Sequence, residues 1–431
     1  MLLQFSVANH RSIADRVALD LFAAPRLRLH PEHLIQTLDG QPSALPLAVM
    51  WGANASGKSN LVDALYFCQK FIVSPAQLDE PVPVQPFRLD ELYLSKVSAF
   101  EFVVQLHEGV FRYSFAASRG GVESESLYRE RASQSQLIYS RTKAGLEWGK
   151  AADFSVERAK FVADGLLVNE LFLSAAASKN LAPMQSLYRW FKNIAFLTSI
   201  SVTQDIVVKL EQDETYRAFV IELMREADTG IVGLEVQMET VPSSQTNLDF
   251  VKQARANISP IKSSSSVMAF KKVGPQNQFM HAVFAHGENS SEKFKLEDES
   301  QGTQRLYELS PILFDAQQNA RLFVIDEIDS SLHPKLVRFV IERFLACRKQ
   351  GAQLLCTTHD ASLLDLALLR RDEIWFADKD KLGKTQFASL YEYINRSDVD
   401  LDKHYLAGRF NGVPRLRTMR AASSASASKS A

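Results

Sequence analysis

Apolar and polar residues alternate in the first and last parts of the chain in a way that predicts β-strands. Residues 1–12 alternate with the period of two that is typical of a strand. Within residues 100–118, two alternating runs flank Glu108 and Gly109, which predicts an antiparallel hairpin. Residues 279–284 and 293–296 also have strand-like patterns, so we predict a second strand pair there.

The middle of the chain follows a different period. Across residues 180–226, apolar positions recur at helical spacing. The positions that carry this period include Leu187, Phe191, Ile194, Phe219 and Leu223. We therefore predict a mainly helical insert over residues 181–270. Serine and proline concentrate at 241–246 and 259–266, which indicates surface connections.

The last third predicts strands that alternate with helices. Two apolar runs, 321–325 and 353–357, are each followed by a helical pattern. We predict an α/β protein in which residues 1–180 and 271–415 form the main folded unit. Residues 416–431 have low complexity, so we expect them to be a disordered tail.

Composition excludes several classes of protein. Apolar residues make up 46% of the chain and charged residues 23%, values that are ordinary for a folded globular protein. The 49 basic residues balance 50 acidic ones, so no overall positive field attracts nucleic acid or an anionic membrane. Three scattered cysteines do not suit a disulfide framework or a zinc site. The chain has no signal-peptide pattern and no apolar run of membrane-spanning length, so we expect a cytoplasmic protein without a membrane partner.

A glycine-bearing loop at residues 52–59 carries the clearest chemistry. Its sequence, G-A-N-A-S-G-K-S, has Walker A spacing and stands between an apolar strand pattern and a helical pattern. Glycines allow backbone amides to turn toward phosphate oxygens, Lys58 can reach the β and γ phosphates, and Ser59 can ligate Mg²⁺. The predicted nucleotide-binding residues are Gly52, Ala53, Asn54, Ala55, Ser56, Gly57, Lys58, Ser59 and Asn60.

Two adjacent carboxylates follow the apolar run at 321–325. Asp326 and Glu327 would stand at the carboxyl end of a buried parallel strand, where open α/β sheets bind ligands. We expect Asp326 to hold Mg²⁺ through water and Glu327 to orient or deprotonate the attacking water. The alternative is that both are solvated turn residues.

Two further polar segments are candidates for the same site. His359, in T-T-H-D after the run at 353–357, can hydrogen-bond a γ phosphate or a water, although a lone histidine is more often structural. Ser300 and Gly302, in D-E-S-Q-G-T-Q-R, precede a helical pattern whose free amides favour an anion. A plain helix cap explains these two residues equally well.

In the order and spacing of its motifs the chain resembles the ABC-type ATPases of the SMC and RecF kind. Within them it resembles the AAA-family ATP-binding proteins of phage-defence and restriction loci, such as the AbiL-type and RloA-type ATPases. The segments that carry the resemblance are 9–12, 52–60, 86–90, 297–306, 324–334, 357–360, 371–380 and 406–414. It implies an ABC-ATPase head, with a mixed sheet around the P-loop core, an antiparallel β lobe and here a helical insert. No heptad pattern follows Lys58, which excludes long SMC-type coiled-coil arms.

The resemblance also implies roles for the remaining residues. In these families the serine and glycine turn is the signature motif, which caps the γ phosphate of ATP held by the opposite subunit of a head-to-head homodimer. The residues assigned in this way are Ser300, Gly302 and Thr303, with Asp329 and Arg11 as further nucleotide contacts. The usual serine-glycine-glycine-glutamine is Ser300-Gln301-Gly302-Thr303 here, which leaves the contact of residue 303 open. His10 stands where an aromatic residue is usual, and Gln85 is a candidate Q-loop glutamine.

The sequence is compatible with three functions. The resemblance favours an ATP-gated sensor or regulator that controls a separate effector, in particular a nuclease from the same locus in antiphage defence. A RecF-like DNA-binding repair ATPase is the alternative, and a transporter engine is disfavoured. The basic residues that could meet DNA phosphates are Arg338, Arg343, Arg348 and Lys349, or Arg415, Arg417 and Arg420.

Overall fold

The structure is a computed structural model, and it describes residues 1–38, 40–131, 134–152, 154–197, 202–242, 268–273, 276–287, 292–393, 400–410 and 412–413. Its strands are β1 (Leu2–Ala8), β2 (Val17–Asp20), β3 (Leu47–Trp51), β4 (Ser98–Leu106), β5 (Gly109–Ser118), β6 (Gly121–Arg131), β7 (Gln134–Thr142), β8 (Gly145–Trp148), β9 (Ala195–Leu197), β10 (Ile231–Pro242), β11 (Met268–Val273), β12 (Gln276–His286), β13 (Lys293–Lys295), β14 (Leu322–Ile325), β15 (Gln353–Thr357), β16 (Ile374–Lys379) and β17 (Thr385–Ser389).

The helices are α1 (Lys58–Val73), α2 (Glu91–Leu94), α3 (Val156–Asp164), α4 (Phe172–Ser178), α5 (Met184–Lys192), α6 (Val202–Gln212), α7 (Glu214–Glu226), α8 (Gln301–Gln318), α9 (Pro334–Cys347) and α10 (Leu401–Leu406). Together these elements confirm the α/β class. No helix among the described residues is long and apolar enough to cross a membrane.

A six-stranded sheet forms the centre of the molecule, in the order β17-β16-β3-β15-β14-β9. All neighbours are parallel except β17, which pairs antiparallel with β16. Both faces of β3 are buried: Leu47, Val49 and Trp51 pack into the core that α7, α8 and α9 share. Ala48 and Met50 pack into the opposite core, with α1 and α5. A parallel strand covered on both faces explains why residues 47–51 read as a continuous apolar run.

A seven-stranded antiparallel sheet, β2-β1-β4-β5-β6-β7-β8, forms the predicted β lobe. The hairpin predicted within residues 100–118 is confirmed, because β4 and β5 pair up to Leu106 and Gly109 at the turn. The buried Gln353 side chain links this lobe to the central sheet. Its Nε2 donates to the carbonyl oxygens of Leu2 (2.8 Å) and Leu45 (2.9 Å), and its Oε1 accepts from the Leu2 amide.

The predicted helical insert contains α5, α6 and α7, but it also contains strands. β9 joins the edge of the central sheet beside β14, and β10 belongs to a third sheet, β10-β12-β11, with β13 beside β12. The strand pair predicted at 279–284 and 293–296 is confirmed by the Phe284–Phe294 pairing of β12 and β13. The predicted surface connections, apart from residues 241–242, and the predicted tail at 416–431 lie outside the described residues.

Candidate nucleotide-binding site

The loop between β3 and α1 has the backbone shape that the Walker A spacing predicts. Gly57 has a φ of 110°, and a Cβ at this position would lie 2.1 Å from Oγ1 of Thr385, so glycine is required there. The buried Thr385, at the start of β17, donates from Oγ1 to the Ser56 carbonyl oxygen (2.8 Å) and lies 2.7 Å from Oγ of Ser12. Thr385 thereby links the loop to β17 and to Ser12.

Lys58 lies inside this loop. Its Nζ donates to the carbonyl oxygens of Gly52 (2.6 Å) and Ala53 (3.3 Å). Burial lowers the pKa of Lys58 to about 8, although nearby carboxylates oppose the shift. Those carboxylates belong to Asp326, Asp329 and Glu327. The predicted phosphate-binding lysine and the predicted acidic residues therefore share one site.

Thr357, the last residue of β15, bonds both acidic residues at the end of β14, one through its carboxylate and the other through its backbone. Its Oγ1 donates to Oδ1 of Asp326 and accepts from the backbone N–H of Glu327 (2.8 Å). This is possible because β14 and β15 are parallel and in register, with Ile325 opposite Cys356. Glu327 has a φ of 54° and an exposed side chain. Left-handed backbone in a non-glycine residue is costly and concentrates at functional sites.

The segment after β15 brings His359 and Asp329 together. Oδ2 of Asp329 accepts from the His359 backbone N–H (2.9 Å), whereas Oδ1 is buried without a hydrogen-bond partner. Thr358 donates its backbone N–H to the Met50 carbonyl oxygen (3.0 Å), which ties this segment to the end of β3. The His359 side chain is exposed beside the P-loop strand.

The predicted signature turn caps helix α8. Oγ of Ser300 accepts from the Thr303 backbone N–H (3.1 Å) and lies 2.9 Å from Oγ1 of Thr303. Thr303 is only 7% exposed, whereas Ser300 is exposed. The geometry favours a role for Thr303 in positioning Ser300, while Ser300 is available to a ligand.

The start of α8 packs against the loop after β14 of the same chain. A Cβ at Gly302 would lie 3.3 Å from the Ser331 carbonyl oxygen, so the approach is close. Nη2 of Arg305 donates to the Glu327 carbonyl oxygen (3.3 Å). Within the described ranges, no hydrogen bond or ion pair joins Ser300, Gly302 or Thr303 to residues 52–60. The start of α8 thus contacts the loop after β14, through Gly302 near Ser331 and through Arg305 at Glu327.

Arg11 lies beside the first turns of α1. Its Nε is 2.8 Å from Oδ2 of Asp63, and its backbone N–H donates to the Gln85 carbonyl oxygen (2.6 Å). His10 is fully buried, with its ring 5.7 Å from the rings of both Phe67 and Phe100 and Nε2 2.9 Å from Oδ2 of Asp63. His10 therefore packs as the usual aromatic residue would. It also holds the carboxylate that orients Arg11.

Several residues that build the site had no role assigned from the sequence. Thr357, Thr385 and Arg305 act through contacts with residues distant in the chain, so only the fold reveals them. The segment 406–414 packs at the start of the P-loop: Tyr405 donates its hydroxyl to the Gly412 carbonyl oxygen (3.1 Å). A Cβ at Gly412 would lie 3.3 Å from Cα of Gly52. Residues 411 and 414 of this segment are outside the described ranges.

The donor set fits ATP with Mg²⁺. Ser59 and Asp326 offer a hydroxyl and a carboxylate, the hard oxygen ligands that Mg²⁺ prefers. Oγ of Ser56 and Oδ1 of Asp329 are buried and have no hydrogen-bond partner among the described residues, which suits groups that bond a ligand. The candidate residues that are exposed include Asn54, Ala55, Ser59, Ser300, Glu327 and His359.

Comparison with solved structures finds similar but distant folds. The SMC head domain from Thermotoga maritima is 13% identical, with a TM-score of 0.42 over 90% of this chain and 98% of that chain. The Smc head domain derived from Pyrococcus furiosus, with an extended coiled coil and bound to the C-terminal domain of ScpA, is 11% identical, with a TM-score of 0.41 over 91% and 97%. Similarity at this level does not assign a function.

Comparison with family models is more decisive. No curated protein sequence matches the chain. Residues 47–365 match the family described as "AAA domain, putative AbiEii toxin, Type IV TA system". The match covers about three quarters of the chain and includes the P-loop, the signature turn, both carboxylates and His359. The chain therefore belongs to this family of AAA ATPase domains.

Proposed function

We propose that this protein is a Mg²⁺-dependent, ABC-type ATPase whose heads dimerise around ATP and regulate a partner effector in antiphage defence. One observation carries the proposal: Lys58, the three carboxylates around it and His359 converge at the carboxyl ends of three adjacent parallel strands. The family description names a toxin of a type IV toxin–antitoxin system, which supports action together with another protein. We propose a nuclease as the effector and an AbiL-type or RloA-type system as the context.

Each residue of the site would have its own role in ATP hydrolysis. Lys58 would exchange the carbonyl oxygens of Gly52 and Ala53 for phosphate oxygens when ATP binds. Ser59 and Asp326 would hold Mg²⁺, which neutralises phosphate charge when bound. Glu327 would orient the attacking water, and His359 would hydrogen-bond the water or the γ phosphate.

The exposure of the site supports the proposal that a second head completes the ATP site. Ser59, Glu327 and His359 are all exposed, although hydrolysis requires a site from which bulk water is excluded. Ser300 is exposed as well, and within the part of the chain that the structure describes it has no hydrogen bond to residues 52–60. A head-to-head dimer would place Ser300 and the first-turn amides of α8 on the partner's γ phosphate.

The RecF-like alternative loses support from helix α9. Its arginines already have partners: Arg338 pairs with Glu342 (2.8 Å) and Asp365 (2.7 Å), and Arg343 pairs with Glu226. Arg348 donates from Nη1 to the Leu345 carbonyl oxygen. Arg338 and Arg343 are thus already paired with carboxylates, whereas Arg348 contacts only carbonyl oxygens among the described residues and Lys349, which like Arg348 follows the helix, is exposed. The second group, Arg415, Arg417 and Arg420, lies outside the described residues.

The test is to purify tagged Glu327→Gln protein from its native host with ATP present, with and without nuclease treatment, and to identify what is retained by mass spectrometry. A stoichiometric protein partner that survives nuclease treatment is expected. Tagged Lys58→Ala protein is the matched control, because it should not form the ATP-bound dimer. Retention of nucleic acid without a protein partner would instead favour the RecF-like alternative.

Lys58→Ala should reduce ATP affinity by at least about tenfold, because the charge-assisted bonds of Nζ to the phosphates are lost. Titration with a fluorescent ATP analogue measures the affinity. Lys70→Ala, on the same helix but near its C-terminal end, is the control. Unchanged affinity in Lys58→Ala would show that the loop does not hold the phosphates.

A further inference from the structure

A second cluster of polar side chains lies near the amino ends of the parallel strands of the central sheet. The segment H-P-E-H, residues 30–33, packs against residues 366–373, which lead into the amino end of β16. The nucleotide site lies at the carboxyl ends of the same parallel strands, so the two sites are separate. Nδ1 of His30 is 2.9 Å and Nε2 of His33 is 4.0 Å from Oε1 of Glu32.

The outer hydrogen bonds of the two histidines fix where their lone pairs point. Nε2 of His30 must donate to the Leu366 carbonyl oxygen (2.8 Å), which leaves the lone pair of the neutral ring on Nδ1, toward Glu32. Nδ1 of His33 is 3.0 Å from both carboxylate oxygens of Glu373, so its lone pair is on Nε2, also toward Glu32. When both rings are neutral, Nδ1 of His30, Nε2 of His33 and the Glu32 carboxylate are three potential metal-ligand atoms, and the two rings lie 4.8 Å apart between centroids at an interplanar angle of 16°.

Glu373 acts as the outer partner of His33. It is fully buried and also accepts from the Arg370 backbone N–H (2.9 Å). Burial raises the pKa of Glu373, and the His33 hydrogen bond opposes this shift. A buried carboxylate behind a histidine is the arrangement that orients metal-binding imidazoles.

We propose that His30, Glu32 and His33 bind a divalent transition-metal ion, with Zn²⁺ the best match. Two imidazole nitrogens and one carboxylate oxygen are a ligand set that Zn²⁺ uses, with a fourth position left for water. The three ligand atoms lie within 4.8 Å of one another, and the 65% exposed Glu32 side chain is free to close the remaining gap. The bound ion would strengthen the connection between residues 30–33 and 366–373.

Protonation of His30 is the alternative explanation for the short distance between His30 and Glu32. Burial lowers the pKa of His30, but the Leu366 carbonyl and Glu32 outweigh burial and raise the pKa above its usual value. A charged His30 would form an ordinary ion pair with Glu32. Metal binding must displace that proton, so the two explanations give different results in a metal titration.

The experiment uses the full chain without nucleotide, after tag removal and dialysis against a chelator. Co²⁺ is titrated while visible absorption is recorded, and Zn²⁺ is then added as competitor. We expect one Co²⁺ per chain, a spectrum of low-coordinate nitrogen and oxygen ligation, and displacement by Zn²⁺. Glu32→Gln, which changes an exposed side chain, and His33→Gln should each weaken binding by at least about tenfold.

His107→Gln, which alters an exposed histidine elsewhere, should leave the titration unchanged. Thermal unfolding of each variant without metal shows whether it remains folded. The proposal is overturned if the chain binds no stoichiometric Co²⁺, or if folded Glu32→Gln protein binds it as the wild type does. Binding that Asp326→Asn removes would place the ion in the nucleotide site and would also overturn the proposal.

Discussion

Glu327→Gln is expected to hydrolyse ATP at least ~10² times more slowly than the wild type while it still binds ATP. Glutamine keeps the size of the side chain but cannot accept a proton from the attacking water. The backbone of residue 327 should remain in place, because Thr357 and Arg305 bond its N–H and its carbonyl oxygen. Steady-state phosphate release and ATP titration measure the two properties.

A matched control for this substitution is Glu157→Gln, at an exposed position in the first turn of α3. It makes the same chemical change far from the P-loop in the chain and should leave turnover unchanged. Turnover by Glu327→Gln close to that of the wild type would assign the water-positioning role to another residue, with His359 the next candidate.

Ser300→Arg is expected to bind ATP normally but to lose ATP-driven dimerisation and hydrolysis. Ser300 is exposed and, among the described residues, has no hydrogen bond to its own P-loop, so we expect the bulky side chain to clash with the partner head. Light scattering with and without ATP measures dimerisation. Ser95→Arg, at another exposed serine, is the control and should dimerise as the wild type does.

Mixing two inactive variants tests the arrangement between subunits directly. In a dimer of one Ser300→Arg chain and one Lys58→Ala chain, the intact P-loop of the first meets the intact signature turn of the second. Partial recovery of hydrolysis on mixing is therefore expected. A wild type that stays monomeric with ATP, with specific activity independent of concentration, would contradict the dimer.

The sequence predicted the parts of the fold whose signal is local. The P-loop, β14 and β15 are apolar runs followed by motif residues, and the hairpin within residues 100–118 alternates around a turn. The sequence does not predict β9, because this strand has only three residues and they lie inside a pattern with helical spacing. Its strand conformation depends on pairing with β14, more than a hundred residues later.

The candidate site residues stand at positions that the sequence pattern indicates, and their roles stay predictions. Lys58, Asp326, Glu327 and His359 follow strands and carry reactive groups, so their positions are visible in the sequence. The two hydrogen bonds that Thr357 makes to Asp326 and Glu327 are not visible in the sequence, because they depend on the parallel register between β14 and β15.

The position of β3 has a consequence for how the protein is made. β3 lies between β15 and β16, and its partners are roughly 300 residues away along the chain. During synthesis the apolar strand that leads into the P-loop emerges early, with neither neighbour yet available to pair with it. An apolar strand with two unpaired edges favours aggregation until its neighbours have been synthesised. The strand that leads into the P-loop therefore gains both of its neighbours only after the last third of the chain has been translated.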